Sequence, residues 1–182
     1  MGSSPSTFAE IALRCEKYGI TPESAAEIAL QLAKIFRVHD DEVAILKLDK
    51  GHLHFLYPLI LQKVGTIPVN TTGSVAAHVA STRKPEIRNN FAETRHASVF
   101  EAAFQMRKEK PAAGSHREEN IIHKLMSVPV LSATELRGVI QLCRKGISPL
   151  AAGPDFAPDE LQKLAAIGVQ LGKCFKPSAT NS

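Results

Sequence analysis

The chain has 182 residues, enough for one domain with a sizeable core. Apolar residues make up 44% and charged residues 22%, an ordinary globular balance, and the net charge of +4 comes from interspersed charges of both signs. That distribution, with no Trp and two Tyr, argues against a basic tract or a base-stacking platform for nucleic acid, and the lack of a long apolar run argues against a membrane span.

In chain order, the opening MGSSPS lacks the apolar stretch of a secretory signal. It matches the short acylation pattern at Gly2 but reads as a flexible Ser/Pro tail. A helix is predicted from Thr7 to Tyr18, with Phe8, Ile11, Ala12 and Cys15 on one stripe and Gly19 at its end. Thr21 caps a second helix, Pro22 suits its first position, and Ala25, Ile28, Ala29, Leu32, Ile35 and Phe36 repeat at helical spacing. Glu42 to Leu48 reads as a central strand, turned at Asp49–Gly51 into a return strand at HLHFLYP. Leu59 to Asn90 holds a short strand, a helix opening at Thr72-Gly73-Ser74, and the strand EIRNN. That helix stops before Lys84-Pro85, because the residue before proline is pushed out of helical space. ASVFEAAFQMRK has some helical period, and EKPAAGSHREEN reads as a polar, broken loop able to act as a flap. IIHKLMSVPVL and LRGVIQLCRK form a strand pair around SATE, and a helix runs from Pro158 to Phe175. Hairpins imply antiparallel pairing, so the expected class is α+β.

The three cysteines, Cys15, Cys143 and Cys174, are widely spaced and read as apolar core or interface residues in a reducing compartment. His52 and His54 share a strand face, but no third metal ligand is identifiable, and Asp40-Asp41-Glu42 reads as a solvated turn. No Ser-His-Asp order, P-loop or paired catalytic carboxylates stand out, so neither catalytic residues nor a metal site are expected. Arg88, Asn89, Asn90, Arg95 and His96 form a polar run that suits an anionic or amide-bearing ligand or a solvated loop. The helix N-terminus at Ser74 would add a positive dipole end, and His123 suits either a cavity wall or a satisfied core position.

The order of Val128-Pro129-Val130, Gly138-Val139-Ile140-Gln141-Leu142, Phe156 and Asp159-Glu160, preceded by TTGSVAAHVASTRKPEIRNN, resembles the GAF domain family of small-molecule sensory modules. The resemblance runs from about Thr21 to Phe175. It implies a six-stranded antiparallel sheet with the terminal helices on one face and short helices and loops enclosing a pocket on the other. On that reading Thr72, Ser74, His78, Arg88, Asn89, Asn90, Arg95, His96 and His123 are the expected ligand-binding residues.

Departures from family patterns narrow the function. Where cyclic-nucleotide-binding members carry Asn-Lys, Phe and Asp-Glu, this chain has Arg144-Lys145, Phe156 and Asp159-Glu160, leaving at most a Lys145–Asp159 surface pair. No cysteine lies between Cys15 and Cys143 for a bilin. The pocket region is expected to lack the thiols of free-methionine-sulfoxide reductases, which are GAF-type enzymes.

In the last helix Leu161, Leu164, Gly168, Leu171 and Phe175 make one stripe inside an apolar arc of roughly 220°, wider than the ~100° of a one-sided helix. The expectation is a homodimer through the terminal helices, with Leu164, Leu171 and Phe175 at the interface; a two-helix layer within one chain is the alternative. The domain is placed at residues 21–176, between a tail and helix at 1–20 and a tail at 177–182. The expected protein is a cytoplasmic, non-enzymatic sensory domain with an unidentified small-molecule ligand and a signalling partner, no nucleic acid or membrane, and no assignable cofactor. A reductase-type enzyme and a ligand-free interaction module are the alternatives.

Overall fold

A computed structural model describes residues 6–91 and 121–176. Arg95, His96, the ASVFEAAFQMRK segment, the EKPAAGSHREEN loop, Gly2 and the 177–182 tail lie outside the described residues.

Helix α1 (Phe8–Tyr18) starts where Thr7 and Glu10 exchange backbone-to-side-chain hydrogen bonds, a reciprocal cap. Helix α2 (Pro22–Phe36) opens the same way between Thr21 and Ser24, with Pro22 at its first position. Strands β1 (Val43–Asp49) and β2 (His52–Tyr57) follow, joined by Lys50 and Gly51, whose φ angles of 46° and 78° make the tight hairpin turn that suits strand twist. A 3-10 segment (Leu59–Val64) leads to β3 (Thr66–Pro68). Gly73, at φ 90°, then turns the chain into α3 (Val75–Thr82), which Ser74 caps.

Strand β4 (Glu86–Arg88) is short, whereas β5 (Ile121–Ser132) and β6 (Glu135–Gly146) form a long hairpin turned at Ala133 and Thr134. Helix α4 spans Pro158–Leu171 and tightens into a 3-10 turn at Gly172–Cys174, so the helix expected to run to Phe175 ends earlier. Its seat on β5 is close: a Cβ at Gly168 would lie 2.9 Å from the Pro129 carbonyl oxygen, and one at Gly172 would lie 1.9 Å from that of Leu131. Two glycines one turn apart let the helix approach the strand backbone.

The six strands form one antiparallel sheet in the order β3-β2-β1-β6-β5-β4. One face carries Val43, Ile45, Met126, Val128, Val130, Ile140 and Leu142 against α1, α2 and α4. The other carries Ala44, Leu46, Leu53, Leu125, Val139 and Cys143 against α3 and Leu61 of the 3-10 segment. This is the α+β, GAF-like architecture expected. Helix α1, placed outside the domain from sequence, puts Ile11, Ala12 and Cys15 into the first of these cores.

Candidate functional site

Strand alternation decides which side chains meet under α3. Glu86 pairs with Ser127, Ser127 with Gln141, and Gln141 with Ala44, so these four residues form one row across β4, β5, β6 and β1. Arg88, Leu125 and Cys143 form the next row. Ala44, Leu125 and Cys143 belong to the core beneath α3, so both rows face that helix. Ser127 and Gln141 have no solvent exposure. Opposite them α3 presents Val75, Ala76, Val79 and Ala80, mostly small residues.

This otherwise apolar layer therefore holds polar groups in two connected patches. At its edge, His78 Nδ1 lies 2.9 Å from Glu86 Oε2, and the other Glu86 oxygen accepts from the Arg88 guanidinium. In its interior, Gln141 Nε2 donates to Ser127 Oγ at 3.2 Å. Among the described residues each patch leaves a buried atom without a partner: Arg88 Nε, a donor, and Gln141 Oε1, an acceptor. An unsatisfied buried polar group costs about 1–3 kcal/mol. Two on one sheet face, of opposite hydrogen-bonding sense, define the candidate site.

Of the residues expected to bind ligand, His78 and Arg88 come together here through Glu86, while the others go elsewhere. Thr72 and Asn90 are exposed, and Ser74 caps its helix. Asn89 donates to the Phe156 carbonyl at 3.0 Å and accepts from the Phe156 N–H at 2.9 Å, which makes it a clamp on the loop before α4. His123 is buried with Nε2 3.1 Å from the Gly146 carbonyl oxygen. These side chains do not converge on a single concave site among the described residues. Sequence reasoning passed over Glu86, Ser127 and Gln141. The available signal was a polar residue at the inward period of two in both SVPVL and VIQLC.

Three further expectations are corrected. Cys143 faces the α3 layer, so that face does hold a thiol; burial raises its pKa well above the ordinary value, opposite to what a nucleophile needs. The Lys145–Asp159 pair does not form: Lys145 Nζ reaches Asp41, and the ion pair is Arg144–Glu160 at 3.2 Å, with the Arg144 guanidinium 4.3 Å from the Phe156 ring centroid. Leu164, Leu171 and Phe175, placed at a dimer interface, are at most 1% exposed within their own chain. There they pack with α1, α2 and the sheet in the first core.

Among the described residues no group of three His, Cys, Asp or Glu is gathered to hold a metal ion. No described helix is long and apolar enough to cross a membrane.

No family model matches the chain, and no curated protein matches it in sequence. Solved structures do match in fold. The GAF domain of an Acinetobacter phosphoenolpyruvate-protein phosphotransferase superposes with a TM-score of 0.58 at 11% identity, over 93% of this chain and 94% of that one. The A. aeolicus nlh2 GAF domain gives 0.58 at 17% identity, over 92% and 94%. The free methionine-R-sulfoxide reductase of Neisseria meningitidis, solved with its substrate, gives 0.55 at 16% identity, over 96% and 94%. At these identities the likeness shows the fold, which is GAF-like and is found both in the GAF domains of other proteins and in a methionine-sulfoxide reductase.

Proposed function

We propose that the chain is a non-enzymatic sensory domain that binds a small polar molecule between α3 and the sheet and signals through homodimerisation or a partner protein in the cytoplasm. The observation that carries this reading is the pair of buried orphan atoms, Arg88 Nε and Gln141 Oε1, on the sheet face beneath α3. A ligand offering an acceptor to the first and a donor to the second would recover both hydrogen bonds. Glu86 already balances the charge of Arg88, which favours a ligand that is neutral overall. Sheet geometry spaces the two residues about 12 Å apart, two strands across and two residues along, within the span of a small metabolite. The face is closely packed, so entry requires α3 to lift from the sheet, and that movement would be the signal.

Native mass spectrometry of the freshly purified protein should show a bound small molecule that denaturation releases. Readding that molecule to Gln141→Leu and Arg88→Gln should give at least ~10-fold weaker binding than to the unaltered protein, about 1.4 kcal/mol, with folding retained. Full retention in both variants would overturn the reading.

A second reading has one observation in its favour: Cys143 lies on the same face, and the fold is also that of a methionine-sulfoxide reductase. Replacing all three cysteines should leave no activity to lose. Free methionine sulfoxide turnover that disappears in Cys143→Ala would establish the enzyme instead.

A further inference from the structure

Cys15 and Cys174 stand 159 positions apart in the sequence and meet in the fold. Both are 1% exposed. The Cys174 thiol donates to the carbonyl oxygen of Ala12 at 3.5 Å, one turn before Cys15 on the same face of α1, and after burial it is Cys15 that adds most to the raising of the Cys174 pKa. The backbone holds the two in register. Gly19 N–H donates to the Cys15 carbonyl at 2.7 Å, and the next residue, Ile20, donates to the Cys174 carbonyl at 2.8 Å. A disulfide needs Cα atoms about 4.4–6.8 Å apart with Cβ vectors that converge, and the two consecutive backbone bonds hold the end of α1 and the Gly172–Cys174 turn side by side.

We propose that Cys15 and Cys174 form a reversible disulfide-modification site that staples α1 to the turn after α4, with hydrogen peroxide as the oxidant. Access comes from opening of α1, which packs on α2, on the Gly172–Cys174 turn and on α4. Its outer ties are exposed ion pairs, Arg14–Glu27 at 2.6 Å and Lys173–Glu16 at 3.5 Å. The Cys15 sulfur attacks one peroxide oxygen; the O–O bond breaks, the thiol proton leaves with the departing oxygen as water, and Cys15 becomes a sulfenic acid. The Cys174 sulfur then attacks the Cys15 sulfur; the S–O bond breaks, and the hydroxyl leaves with the Cys174 proton as a second water. Two thiols have lost two electrons and one peroxide has gained them. Burial pushes the Cys174 thiol up to about 12 and keeps it protonated and unreactive in the closed fold, so both steps wait on the opening of α1. Cys143 is buried in the other core, across the sheet, and takes no part.

The full-length reduced protein should be treated with one equivalent of hydrogen peroxide, its thiols counted, and its peptides mapped without reduction. The expected result is loss of two of the three thiols, a Cys15–Cys174 cross-linked peptide, and full reversal by dithiothreitol. The oxidised form should melt roughly 10 °C higher, because the bond closes a long loop. Cys174→Ala should lose both the cross-link and the gain in melting temperature; if that variant does not fold, the peptide map of the unaltered chain decides alone. Prior reaction of Cys143, covalent dimers in place of the internal bond, or three thiols that persist until denaturant is added would each overturn the proposal.

Discussion

At the scale of single residues, several polar side chains that suggest ligand chemistry serve the backbone instead. Asn89 is the clearest case. Both ends of its amide engage Phe156, and around that residue Arg144 donates to the Pro154 carbonyl at 2.5 Å while Lys124 reaches the Gly153 carbonyl and Asp155. Glu160 completes the arrangement by accepting from the Ala157 N–H at 2.9 Å and from Arg144. The loop before α4 is thus fixed by four side chains, one each from β5, β6, α4 and the residue after β4. Asn89→Ala removes a donor and an acceptor together and should cost about 1–3 kcal/mol by denaturant melt, with faster exchange of the Phe156 amide. A fall in ligand binding at unchanged stability would return Asn89 to the binding site. None of this was legible in the sequence. In the sequence Arg144 stands only as the replacement for the Asn of the cyclic-nucleotide-binding pattern, and the fold alone brings Phe36, Phe156 and Glu160 around it. Gln141 was hidden for a related reason: a lone polar residue in an apolar strand reveals its face only once the register of its neighbours is known.

At the scale of elements, most of the architecture could be read because local chemistry and tertiary demand agree. Thr7 and Thr21-Pro22 mark helix starts, and the Asp49–Gly51 turn marks the hairpin. The LMSVPV and VIQLC runs mark strands covered on both faces. Sequence reasoning missed the last turn of the final helix. Its apolar period continues through Cys174 and Phe175, but Gly172 sits against the Leu131 backbone and the chain tightens there. The cap of α1 gives a pH test. The Glu10 carboxyl is held below its ordinary value by the Thr7 backbone N–H first and the Thr7 side chain second. A folded pKa below the unfolded one means the stabilisation is fully present above the unfolded value and is lost as pH falls through the folded one. Amide exchange in the first turn of α1 should therefore accelerate as pH drops below about 4, after correction for intrinsic rates. In Glu10→Gln that acid step should be absent; an equal step in both proteins would mean another group titrates.

At the scale of the whole molecule, the wide apolar arc of α4 has a different explanation from the one its pattern suggests. Apolar period measures how much of a helix is covered, not which chain covers it. Here α1, α2 and the sheet together cover Leu164, Leu171 and Phe175. What remains outside is Val169, 59% exposed on α4, with Leu13 and Tyr18 on α1 and Leu30 on α2. Leu13 adjoins Arg14, whose guanidinium reaches Glu27 one turn before Leu30, so an apolar pair flanks an ion pair on the outer surface of the helical layer. A homodimer, if it uses this layer, must use these residues, and two substitutions two positions apart separate fold from assembly. Leu171→Glu places an unpaired carboxylate in the closed core and should unfold the chain at every concentration, a loss of roughly 3 kcal/mol or more. Val169→Glu alters an exposed position and should keep its melting midpoint within about 0.5 kcal/mol of stability. The same change puts like charges beside one another in a two-fold contact and should shift the light-scattering mass from dimer to monomer. A monomeric mass for the unaltered protein at micromolar concentration would remove the dimer from the proposal. A dimer that survives Val169→Glu would move the contact away from α4.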